Sequence, residues 1–139
     1  MVSDGVDLFR GLEESSPASN PDLRRAIERA QRRGVVVDTI YARGESPLHR
    51  NFILVTNGQS SLARLAFETG GQAFFQGFDT PVGFQPFLGE LAANLGQQYV
   101  LTFRALPGKK GGYQRFQITT EVPGVELVAP AQIYIPAVK

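Results

Sequence analysis

The side chains able to do chemistry are few and far apart. The acidic candidates are Asp4, Asp7, Glu13, Glu14, Asp38 and Asp79, and the one histidine is His49. A serine nucleophile needs a base, so any Ser/His/Asp arrangement has to run through His49. No G-x-S-x-G elbow supplies its serine. A lone histidine in a loop, with no second ligand near it in sequence, reads as a surface residue. The 139-residue chain has no cysteine, which excludes disulfides, thiolate metal sites and cysteine nucleophiles. Neither H-E-x-x-H nor G-x-G-x-x-G occurs, which argues against a zinc enzyme and a dinucleotide fold. Lys109 and Lys110 lie in LPGKKGG, but that loop lacks the phosphate-cradling G-x-x-x-x-G-K-[ST] spacing and reads as an exposed turn. The sequence therefore assigns no catalytic residue and no cofactor-binding residue.

Bulk properties narrow the partners. Fourteen basic and thirteen acidic residues leave a formal charge of +1, which gives no general attraction to nucleic acid or an anionic membrane. No apolar run approaches the roughly 20 residues that span a bilayer. The opening MVSDGVDLFRG has neither the basic lead nor the apolar centre of a signal peptide, and nothing in the sequence assigns a compartment. At this length the prior is a single domain, here residues 1–139.

The elements that would position these groups are easier to read. Residues 35–42, VVVDTIYA, form a nearly continuous apolar run entered from a helix, the pattern of a strand buried on both faces in a parallel sheet. Asp38 interrupts it, so its charge must be paired or reach solvent. Before it, Asn20-Pro21-Asp22 is a strong helix start, and Leu23, Ala26, Ile27 and Ala30 recur on one face up to Gly34. Arg24, Arg25, Arg29, Arg32 and Arg33 fill much of the remainder; they read as a solvated face, with an anion-binding face as the alternative. Residues 52–55 read as a short extended segment, Asn57-Gly58 as a turn, and Ser60 or Ser61 as the cap of a helix burying Leu62, Leu65 and Ala66. Gly70-Gly71 ends that helix, and residues 72–76, QAFFQ, read as the next strand. Cap, helix, glycine and strand thus occur twice in succession, which argues for parallel strands.

A third helix is predicted over residues 84–96, with Leu88, Leu91, Ala92 and Leu95 as a core stripe. Phe74, Phe75, Phe78, Phe84 and Phe87 could instead line a ligand groove, the small-molecule or enzymatic alternative. Residues 99–105 and 113–122 alternate in part around the glycine-rich turn and read as an antiparallel hairpin, with a short strand at 125–128 and a last one at 132–135. The α/β part then covers residues 1–98, and a β extension covers 99–139.

Taken together, MVSDG, VVVDTIYA, LARLAFETGGQAFF, FQPFLGELAANL, QQYVLTF and EVPGVELVAPAQIYIP resemble the C-terminal half of a von Willebrand factor type A (VWA) domain, closest to the bacterial VWA-related family. The resemblance spans essentially the whole chain. It implies a partial doubly wound, Rossmann-like parallel sheet with flanking helices and an antiparallel C-terminal β extension. It also implies a non-enzymatic protein–protein interaction module. Asp4, in Ser3-Asp4-Gly5, matches the last aspartate of the family's metal-ion-dependent adhesion site. The Asp-x-Ser-x-Ser motif and the threonine of that site have no counterpart in this chain, and one carboxylate does not supply the six oxygens magnesium prefers. The expectation is an incomplete site, with magnesium bound only where a partner or a missing segment completes it. The family's first strand would pair with the strand ending at Ser3. Its absence predicts an open edge, covered by homo-oligomerisation, by element swapping or by the β tail.

Overall fold

A computed structural model describes residues 1–7, 9, 11, 15–42, 51–75, 83–105 and 111–137. The architecture is mixed α/β: a three-stranded parallel sheet with helices, and a separate two-stranded antiparallel sheet. The parallel sheet runs in the order β1 (Val2–Ser3), β2 (Thr39–Tyr41), β3 (Ala73–Phe74). All three residues of β2 are buried, as a central strand requires.

The strand is shorter than its apolar run. Residues 35–38 are not strand, and Val35 and Val36 are 48% and 43% exposed. The reason lies in their amides. Helix α1 (Pro21–Arg33) ends at Gly34, whose φ of 64° is left-handed, and Val35 N–H turns back to the Ala30 carbonyl to complete the cap. Val37 N–H is taken by the Thr69 hydroxyl. Pairing with the neighbouring strand starts only at Thr39, whose N–H reaches the Gln72 carbonyl at 2.8 Å.

The helix start at Asn20 is as the sequence reads. Its Oδ1 accepts from Asp22 N–H and Leu23 N–H at 2.9 and 3.0 Å. The same amide donates through Nδ2 to Asp7 Oδ2 at 3.2 Å. Asn20→Ala removes the cap and this tether, with an expected cost of about 1–2 kcal/mol. Asn20→Asp keeps both cap bonds but faces Asp7 with a like charge. It is expected to fall short of wild type in a urea titration rather than match it.

The largest correction concerns residues 52–69. Phe52–Thr69 is one continuous helix, α2, capped by Asn51, which accepts from Ile53 N–H at 3.0 Å. The extended segment, the Asn57-Gly58 turn and the serine cap are all absorbed into it. Gly58 is buried in the helix because the turn after β1 lies directly on it: a Cβ there would collide with the Asp4 carbonyl oxygen. Leu54, Val55, Leu62, Leu65 and Ala66 are buried, and α2 packs on β2 and β3 while α1 leans on α2. Two hydroxyls sew this layer together: Thr39 donates to the Leu62 carbonyl, and Thr69 donates to the carbonyls of Leu65 and Ala66.

Helix α3 (Gln85–Leu95) forms where predicted, but its stripe is not core. Leu88 and Leu95 are 48% and 53% exposed. The helix is held by Phe87 against Phe74, with ring centroids 6.0 Å apart, and by Asn94 donating to the Gln72 side chain. The predicted hairpin partners also change. Residues 99–105 are not strand; β4 (Gly112–Arg115) pairs instead with β5 (Gln132–Ile135) in antiparallel register, Tyr113 opposite Tyr134. Residues 116–122 and 125–128 are not strand either. This small sheet docks on α1, where the Tyr113 hydroxyl donates to the Glu28 carbonyl at 2.9 Å. Among the described residues it does not pair with β1, so this sheet is not what covers that edge.

Candidate functional site

The acidic residues singled out by sequence are placed by the ends of strands and loops. Asp4 follows β1 at the C-terminal edge of the parallel sheet, whereas Asp38 precedes β2 at the opposite edge. The structure therefore keeps the two apart. Each has a structural task. In the Ser3-Asp4-Gly5 turn, Ser3 Oγ accepts from Gly5 N–H at 3.0 Å and Asp4 Oδ1 accepts from Val6 N–H at 3.1 Å. Gly5 takes a φ of 67°, which lets the turn reverse against α2. Asp7 accepts from Phe9 N–H through Oδ1 and from Asn20 through Oδ2. Asp38 Oδ1 accepts from Gln72 N–H at 2.9 Å and ties the start of β2 to that of β3. The charge inside the apolar run is thus satisfied by a neighbouring strand's amide.

Among the described residues, no three acidic or histidine side chains gather where they could hold a metal ion. Glu13, Glu14, His49, Asp79, Lys109, Lys110 and Phe78 lie outside the described residues. Of the remaining phenylalanines in the proposed groove, Phe74 and Phe87 pack on each other, while Phe75 and Phe84 are 40% and 41% exposed.

The surface carries more information than the strand ends do. Beyond β1, whose Val2 is 57% exposed, the parallel sheet has no further strand among the described residues. The outward face of α3 shows Leu88 and Leu95. The chain leaving it then exposes Tyr99 at 90%, Val100 at 96%, Leu101 at 59% and Phe103 at 50%. Phe103 is nonetheless ordered against the tail, stacked on Phe116 with centroids 5.4 Å apart. A second surface is the arginine face of α1. Arg25 pairs with Asp22 at 3.2 Å, and the Arg32 guanidinium lies 4.7 Å from the centroid of the Tyr134 ring. Tyr134 in turn meets Tyr113 edge to face at 5.3 Å. The sequence reading missed these tyrosines, because it paired the tail differently; the short alternation in QIYI was the available signal.

Comparison of the chain with family models, with characterised proteins and with solved structures finds no match.

Proposed function

We propose that this chain is a non-enzymatic protein–protein interaction module, the C-terminal part of a VWA-like domain whose metal-ion-dependent adhesion site is incomplete. The observation that carries this reading is the set of large apolar side chains left exposed on α3 and in the chain that follows it: Leu88, Leu95, Tyr99, Val100, Leu101 and Phe103. Exposed apolar side chains are costly to leave in water, and where they gather they mark sites where another protein binds. The outer edge of β1, unpaired among the described residues, adds main-chain groups that a partner strand can pair with. Asp4 supports the incomplete-site reading, since one of its oxygens already accepts from Val6.

The test is mass in solution by light scattering, with and without magnesium. The expected result is self-association that does not depend on magnesium and that Leu88→Ser with Leu95→Ser abolishes. Because both side chains are about half exposed, the pair of substitutions should change unfolding free energy by only about 0.5 kcal/mol each. A monomer whose double variant loses more than about 2 kcal/mol would make the stripe a core face and remove the basis of the proposal. A mass that changes with magnesium would instead show that Asp4 belongs to a working metal site.

A further inference from the structure

We infer that the arginine face of α1, with Tyr134 beside it, docks an extended acidic segment of a protein partner. The inference rests on the interaction-module reading and names the partner's chemistry. Arg24, Arg25, Arg29, Arg32 and Arg33 are all exposed. Among the described residues no carboxylate pairs with Arg24, Arg29, Arg32 or Arg33. The pair between Arg25 and Asp22 has side chains 60% and 40% exposed, so a partner's carboxylate competes for Arg25 at little cost.

Helix stability accounts for only part of this cluster. Arg32 and Arg33 lie in the last turn, where positive charge complements the helix dipole. Arg24 and Arg25 lie beside the first turn, next to the positive end, where a cation is unfavourable. Arg25 is offset by its pair with Asp22 one turn earlier, whereas Arg24 has no carboxylate partner among the described residues.

Spacing selects the form of that partner. Arg25, Arg29 and Arg33 are four residues apart, a step of about 6 Å along a helix. Alternate residues of an extended chain repeat at about 6.6–6.8 Å, so carboxylates at every second position fall in step with these arginines. Arg32 adds a preset contact. A guanidinium held over the Tyr134 ring keeps other N–H groups for a partner's carboxylate. Arginine and tyrosine together are also the side chains that dominate protein interfaces.

The same face is a poor match for a phosphate backbone. Glu28 is exposed within it, and the chain's net charge is only +1. A nucleic acid carries charge on every nucleotide and would set one against Glu28, whereas an acidic segment of alternating pattern places an uncharged residue there.

The experiment is fluorescence anisotropy of the whole chain with a short labelled peptide alternating glutamate and threonine, at low salt. Saturable binding is expected, weakened about tenfold or more by Arg29→Glu with Arg33→Glu, while circular dichroism stays at wild type and the urea midpoint falls only slightly, through the loss of Arg33 at the negative end of α1. The charge-conserving pair Arg29→Lys with Arg33→Lys is expected to lose several-fold, because lysine cannot form the bidentate contact. Three outcomes overturn the inference: no peptide binding, equal binding by the glutamate variant, or about tenfold tighter binding of a single-stranded DNA of equal charge. If self-association through α3 survives while peptide binding fails, this inference falls and the interaction-module reading stands.

Discussion

Leu54→Ala is expected to cost about 3 kcal/mol, whereas Ile53→Ala next to it changes stability by no more than about 0.5 kcal/mol. Leu54 is 1% exposed and Ile53 is 67% exposed. Phe52, at 70%, should behave like Ile53, and Val55, at 8%, like Leu54. Two adjacent tolerant positions followed by two adjacent sensitive ones fit a helix, where a buried face recurs at one, three and four residues. A strand would alternate instead. An alanine scan of these four positions read by urea denaturation therefore tests both the size of the effect and the element that causes it. A pattern in which Ile53 and Val55 are sensitive together would restore the extended segment.

Gly58→Ala is expected to destabilise the fold by about 2 kcal/mol, against the usual direction for glycine in a helix. In an exposed helix interior the same substitution stabilises by about 0.5–1 kcal/mol, because alanine loses less backbone entropy. At Gly58 the added methyl would press on the Asp4 carbonyl oxygen and come within 3.1 Å of Val6 Cγ2. Backbone cannot yield as a flexible side chain does, so the overpacking cost of about 1–3 kcal/mol exceeds the entropic gain. Gly89 of α3 is the internal control, since a Cβ there meets nothing within 4 Å. Gly89→Ala should raise the unfolding midpoint and Gly58→Ala should lower it. Equal gains at both sites would mean that the Asp4 turn does not rest on α2.

Local chemistry was the legible part of this chain. Asn20, Gly34 and Gly70 mark helix ends through caps that need only near neighbours, and each is used as its residue type suggests. The parallel sheet was legible for the same reason, since the helix-to-strand punctuation repeats. Asn57-Gly58 misled because a turn dipeptide and a helix contact glycine look alike; only the approach of Asp4 from residues far away in sequence separates them. Strand ends at 35–38 were also invisible, because Thr69 claims the amide of Val37 from 32 residues away. The alternation of residues 99–105 was real, yet β4 took β5 as its neighbour, and pairing choice is not a property of one segment. Among the candidate residues, the sequence placed Asp4 at a strand's end. It did not reveal that Asp4, Asp7 and Asp38 each accept backbone amides.

The docking of the tail on α1 also sets an order of events in time. The bond from Tyr113 to Glu28 joins residues 85 apart, and β5 reaches α1 from still farther along the chain. Helix α1, strand β2, helix α2 and strand β3 are all complete in sequence by Phe74. On a ribosome adding roughly 5–20 residues each second, several seconds separate the synthesis of β3 from that of β5. Through that interval the flank of α1 that later receives Tyr113 and Tyr134 lacks those partners. Nascent chains halted between β3 and β5 are therefore the form of this protein most exposed to chaperones, and to premature contact with their neighbours on the same message.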